Sequence, residues 1–248
     1  MIKYLWIDMK LQFRIPVSIF FSLVFPLIMM FAMVSSYGNI DIGNGYHFID
    51  KYFLISTGIG LLPIALVSFP IWLGESVQND SYKRLEYFGL KTSTMVTADV
   101  LSYVVLTFMS IIVNILFAFF FYGLHIPSAA YFFSYVLGCL YCNLVLLMFG
   151  AIMALLVKNT AILMPLGMVV MFTCYILTGA FSSFEQLPES FQTVGNLLPI
   201  KYVMNDFFYV WTEQQVIISK FLILNVIYAV FFGLVLGFIF MRKKKKRS

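Results

Sequence analysis

Long apolar runs alternate with short polar stretches along the chain, and six of the runs are long enough to cross a bilayer. A hydrocarbon core of about 30 Å takes roughly 20 helical residues. The candidate spans are 15–34, 52–73, 100–122, 130–157, 161–181 and 221–241. None carries a charged residue, and at a helix centre each charge would cost about 2.5–3.5 kcal/mol. A helix satisfies its own backbone hydrogen bonds, which lipid cannot do. A β-barrel would need shorter, alternating segments, whereas these runs are continuous. The pattern predicts an all-α integral membrane fold of six transmembrane helices, forming a single domain over 1–248.

The polar stretches have patterns of their own. In 1–14, Ile2, Leu5, Trp6, Met9 and Phe13 recur at helical spacing, with Lys3, Asp8, Lys10 and Gln12 largely elsewhere on the wheel. This predicts an amphipathic helix lying in the membrane interface, with Trp6, Met9 and Phe13 on its apolar face. It is either a simple anchor or a docking surface. In 74–97, Asp80 or Ser81 can cap a short helix that Gly89 ends. Tyr82, Leu85 and Phe88 then share one face, which headgroups or a partner protein must cover.

The segment 182–219 is too polar for a seventh span and too aromatic for a solvated loop. Phe184, Leu187, Phe191, Leu197 and Leu198 predict short helices dipping into the bilayer. Tyr202, Phe207, Phe208, Tyr209 and Trp211 suit an aromatic belt at the lipid–water boundary. Such re-entrant structure is tolerated where protein or a wet cavity covers it. Pro26, Pro63, Pro70 and Pro165 fall inside spans, where each removes a backbone donor and can kink its helix. Ala229, Gly233 and Gly237 form a small-residue stripe on the last span, open either to a second subunit or to packing within the same bundle.

Composition agrees with the membrane reading. Hydrophobic residues make up 62% of the chain and charged residues 11%, against roughly a quarter charged in soluble domains. Lys3, Lys10, Arg14, Lys83, Arg84, Lys91, Lys158 and the cationic run 242–247 all fall on one side of the six-span arrangement. Only Lys51, Lys201 and Lys220 fall on the other. Cations favour the cytoplasmic side, so both termini are expected in the cytoplasm. The basic tail 242–248 suits anionic lipid headgroups rather than nucleic acid. Asp8 and Arg14 interrupt the N-terminal run, so no cleavable signal peptide is expected.

Catalytic chemistry is not evident. The sequence has no phosphate-binding loop, no H-E-x-x-H and no G-x-S-x-G. Cys139, Cys142 and Cys174 lie in apolar runs and read as small packing residues, with no disulfide, metal or other cofactor expected. His47 and His125 stand in separate segments. Asp99, at the mouth of the third span, reads as a helix cap rather than a proton relay. With no ionisable residue inside a span to couple transport to an ion, a transporter built from this chain would need an external energy source.

Several of these features together resemble the membrane subunit of an ABC-2 type exporter. An amphipathic N-terminal helix precedes the first span. Glu75 leads into KRLEYFGLKTS, similar to that family's charged cytoplasmic helix and polar turn. The fifth span leads into LTGAFSSFEQLPESFQTVGNLLPIKYVMNDFF, where Thr178-Gly179, Leu187-Pro188 and Leu198-Pro199 match the family's turn, short helix and second proline. Lys83-Arg84 replaces a frequent Gly-Thr, and Lys91-Thr92-Ser93 lacks a frequent proline.

The resemblance implies a permease in a bacterial plasma membrane, multi-pass and not itself an enzyme. It would pair with a second permease subunit, identical or a sister chain, and with two copies of an ABC ATPase. Tyr82, Arg84, Leu85, Phe88 and Leu90 would form the coupling helix against the ATPase, flanked by the N-terminal helix. Phe184, Leu187, Pro188, Phe191 and Pro199 would belong to an outer gate. The aromatic, uncharged interior suits amphipathic cargo such as a drug, peptide or glycolipid. The competing expectations are a stand-alone immunity or resistance protein and an intramembrane enzyme.

Overall fold

The computed structural model describes residues 9, 10, 12, 19–89, 91–157 and 159–245. Trp6, Phe13 and Leu90 lie outside the described residues, as does most of the expected interfacial helix; Met9 is helical and half-buried. Among the described residues, six helices are long and apolar enough to cross a membrane. They are α1 (Phe20–Tyr37), α2 (Phe48–Gln78), α4 (Thr92–Tyr122), α5 (Ala129–Leu156), α6 (Thr160–Leu177) and α9 (Ser219–Lys245). A short helix, α3 (Ser81–Tyr87), joins α2 to α4. Between α6 and α9 come a 3-10 turn (Phe184–Gln186), α7 (Glu189–Gly195) and a broken helix α8 over 199–211. A small antiparallel hairpin, β1 (Asp41–Gly43) and β2 (Tyr46–His47), precedes α2. Its turn places Asn44 and Gly45 at positive φ, as a tight two-residue hairpin turn requires.

Helix ends meet at two ends of the bundle. At the hairpin end, Asn39 donates to the Tyr122 carbonyl at 3.2 Å. There Asp50, buried at the start of α2, accepts from the His47 and His125 amides at 2.8 and 2.9 Å. At the opposite end, which carries α3, the Thr160 hydroxyl donates to Gln78 Oε1 at 2.9 Å.

The axis of the bundle is α2. Its apolar window is 89% buried, against 11% for α9. The helix is apolar all round, as a fully enclosed helix must be, and α1, α4, α5, α6 and α8 pack around it. By contrast, α9 rests mainly on α5 and leaves a wide apolar face open, which only lipid or another protein can cover.

Proline shapes this axis. A proline cannot bond the carbonyl four residues back and pushes it aside. Pro26 and Pro70 each stand just after a wide π-type turn, Phe20–Val24 and Ile64–Ser68. The freed carbonyls then find partners on neighbouring helices. Ser22 accepts from the Ser110 hydroxyl at 2.7 Å, and Ile59, four residues before Pro63, accepts from the Tyr175 hydroxyl at 2.7 Å. The carbonyls of Ala65 and Leu66 press against Gly150 of α5 and Gly167 of α6, where a Cβ would lie 2.2 Å from each oxygen. Only glycine leaves room for such an approach. Of the two readings open for the span prolines, packing thus describes Pro26, Pro63 and Pro70: their displaced carbonyls are the points where helices join.

Candidate functional site

The first candidate region is the α3 end. Asp80 stands left-handed just before α3, at φ +54, and Gly89 just after it, at φ +84, so the helix is set off at both ends by reversals of the chain. Tyr82 turns inward and donates to Asp99 Oδ2 at 2.5 Å. Leu85 is half-buried, and Arg84, Tyr87 and Phe88 are exposed, the last two by 90% and 84%. The expected shared face of Tyr82, Leu85 and Phe88 is therefore divided between an inward anchor and an outward tip. Tyr87, which the helical wheel left out, joins that tip. The capping role expected for Asp99 does not hold. The helix α4 begins at Thr92, so Asp99 lies well inside it, 1% exposed, where it receives the Tyr82 hydroxyl.

The second region is a polar seam inside the bundle. Ser56 Oγ lies 2.8 Å from the Pro26 carbonyl and 2.7 Å from Asn114 Oδ1. Asn114 donates to the Ser110 carbonyl at 2.9 Å, and Asn143 donates to Thr107 Oγ1 at 2.6 Å. These residues are buried and join α1, α2, α4 and α5. Being neutral, they leave the apolar runs of the spans unbroken and do not stand out in the sequence. The signal available was a neutral amide or hydroxyl within an apolar run, which in a membrane bonds another helix.

The third region is the hairpin end. Phe184 is buried against Gly195, whose Cβ would stand 2.8 Å from its ring and 2.3 Å from the Leu177 carbonyl. Pro199 is buried, Leu187 half-buried, and Pro188 and Phe191 exposed. Phe184 and Pro199 thus reach the core, whereas Pro188 and Phe191 stay on the rim. The helix α8 enters the bundle: Met204 packs on Gly58 of α2, and the Trp211 ring lies 4.4 Å from Phe53 and 5.0 Å from Tyr135. Trp211, Phe207 and Tyr202 are buried, while Tyr209 is half exposed. The expected aromatic belt is therefore mostly core, because residues spaced by four and five along α8 face inward together.

Charge at this end is paired. Lys201 Nζ holds both oxygens of Asp206, at 3.0 and 2.9 Å, with the Phe184 ring 4.7 Å away. Burial, and then the Asp206 charge, raises the Tyr202 hydroxyl above its ordinary pKa. The Ser128 amide, bonded to Glu213, holds that carboxyl below its ordinary range.

Cys139 and Cys142 on α5 and Cys174 on α6 are free thiols in the core. Among the described residues, no group of three or more His, Cys, Asp or Glu is placed to hold a metal. A Cβ on Gly233 would stand 3.7 Å from Met148 of α5, whereas the space around Gly237 is open. The regions together form two shaped ends joined by a proline-broken axis.

No curated protein and no solved structure matches the chain. The family model described as ABC-2 type transporter matches residues 3–212, from before the first described helix to the end of α8. With six membrane-crossing helices and a family match over most of its length, the chain belongs to the ABC-2 type transporter family and is a multi-pass membrane permease component.

Proposed function

We propose that this chain is the permease subunit of an ATP-driven exporter in a bacterial plasma membrane. Membrane components of the family act with an ABC ATPase. In this reading a pair of permease subunits, identical or paired with a sister chain, forms the path, and two copies of a separate ATPase sit below it. ATP hydrolysis belongs to that partner.

The observation that carries the reading is the construction of α3. Its tip presents Tyr87 and Phe88 to the outside, while its inward side is tied to Asp99 of α4. A partner pushing on the tip moves α4 with it, as a short rigid helix can pass on a rigid-body motion. Tyr82 is then the anchor of the coupling helix, and Arg84, Leu85 and Phe88 are its contacts with the partner, with Leu90, outside the described residues, in the same coupling segment. The N-terminal helix, with Trp6, Met9 and Phe13, flanks the same interface.

The hairpin end is the outer gate in this reading, with Phe184, Leu187, Pro188, Phe191 and Pro199 around it. The distribution of Lys and Arg supports placing this end outside and both termini in the cytoplasm. Cargo is amphipathic, a drug, peptide or glycolipid, because the interior has hydroxyls and amides but few charges.

Copurification from native membranes tests the reading. A tagged chain in mild detergent is expected to bring down an ATPase of about 25–35 kDa, the size of one or two domains. Recovery of this chain alone would return it to a stand-alone membrane protein.

A further inference from the structure

Two cavities adjoin at the hairpin end. The first, about 480 Å³, is lined by polar groups that include Lys201, Asp206, Tyr209 and Lys220. The second, about 430 Å³, is an apolar groove where α5, α8 and α9 meet, with Leu137, Tyr141 and Leu222 along it. Ile218 lines both, so the polar cavity and the groove are immediate neighbours.

We propose that the two cavities together hold one anionic phospholipid, with its phosphate against Lys220 and an acyl chain along the groove. The charge decides the headgroup. Lys201 is neutralised by its two bonds to Asp206, and those bonds also occupy the carboxylate that would repel a phosphate. Lys220 makes no ion pair among the described residues, so the cavity carries one uncommitted positive charge. It stands in the first turn of α9, directly before the apolar run.

The groove decides the tail. Its side chains are aliphatic and aromatic, and Leu137 is 63% exposed. A free phosphate ion would fill the polar half and leave this surface uncovered. An uncharged amphiphile would cover the groove and leave Lys220 without a counter-ion. A phospholipid with a net negative headgroup meets both demands. The proposal does not depend on the transport reading.

The test is lipid retention by the full-length protein, purified with whatever subunits accompany it and read by native mass spectrometry. The probes are phosphatidylglycerol and phosphatidylcholine of the same chain length, with inorganic phosphate as competitor. The wild type is expected to prefer phosphatidylglycerol about fivefold, the scale of one lysine against an anionic lipid. Lys220→Glu should abolish the preference and Lys220→Arg should keep it. Leu137→Trp, which fills the groove, should reduce retention of both lipids. If Lys220→Glu fails to fold, Lys220→Gln carries the same expectation. Equal retention of the two lipids by the wild type would overturn the proposal, as would an unchanged preference in the charge variants. Displacement of the lipid by inorganic phosphate would overturn the role of the tail. Copurification of an ATPase is a separate readout that these variants should not alter, so failure here is distinguishable from failure of the transport reading.

Discussion

The Tyr82 hydroxyl and the Asp99 carboxylate are 2.5 Å apart, and this bond joins the short helix α3 to the interior of a membrane-crossing helix. Removing it separates anchoring from docking. In Tyr82→Phe the partner ATPase should still copurify, because Tyr87 and Phe88 keep their exposure. Stability should fall by about 1–2 kcal/mol for the lost bond, read as a lower melting temperature in detergent, and transport per ATP hydrolysed should drop several-fold. The double variant Leu85→Asp with Phe88→Asp should behave in the opposite way: it inserts normally, loses the ATPase on copurification and no longer exports. Unchanged export in the double variant would remove the coupling assignment.

The close approach of α2 to α5 and α6 predicts a sharp contrast among glycines. Gly150→Ala and Gly167→Ala each place a methyl 2.2 Å from a backbone carbonyl that has no freedom to turn away. Each should destabilise the protein by about 1–3 kcal/mol, the scale of overpacking. Gly237→Ala meets nothing within 4 Å and should be neutral, or stabilising by up to about 1 kcal/mol from helix propensity. Thermal unfolding of the three variants in one detergent checks the ranking.

Tyr175 and Pro63 predict a non-additive pair. Tyr175→Phe leaves the Ile59 carbonyl without its 2.7 Å partner, a loss of about 1–3 kcal/mol for a buried acceptor. Pro63→Ala restores an amide able to bond that carbonyl within the helix. The double variant should therefore be more stable than the sum of the single changes predicts. Strict additivity would mean that the tyrosine does not serve the carbonyl freed by the proline.

At the hairpin end, the Glu213 carboxylate accepts the Ser128 amide and is held below its ordinary pKa. A depressed carboxylate supports the fold when ionised, so the tether is complete at neutral pH and is lost as pH falls through the depressed value. Hydrogen exchange at Ser128, corrected for its intrinsic pH dependence, should accelerate over that acidic range. In Glu213→Ala it should be fast throughout.

Much of the architecture is legible in the sequence. Six runs free of charge, each near the length of a bilayer, predict six helices through local chemistry alone, and the observed helices follow them with shifted ends. The segment between the fifth and sixth helices was legible as re-entrant from its mixture of prolines, acids and aromatics. The site was less legible. Asp99 was misread as a cap because its helix begins further upstream, and Trp211 as an interfacial residue because aromatic side chains suit both a belt and a core. The seam of Ser56, Asn114 and Ser110 escaped notice because neutral polar residues do little to interrupt an apolar run.

What the sequence determined by itself is that the chain crosses the membrane and where it does so, since exclusion of charge and backbone self-satisfaction act segment by segment. Which face of each span is buried was decided only in the tertiary structure. Lipid tails and a protein interior are about equally apolar, so hydropathy does not distinguish them. The choice is made by steric fit and hydrogen bonding between helices: a carbonyl displaced by Pro70 against the bare backbone of Gly167, and a hydroxyl from Tyr175 meeting the carbonyl that Pro63 left open.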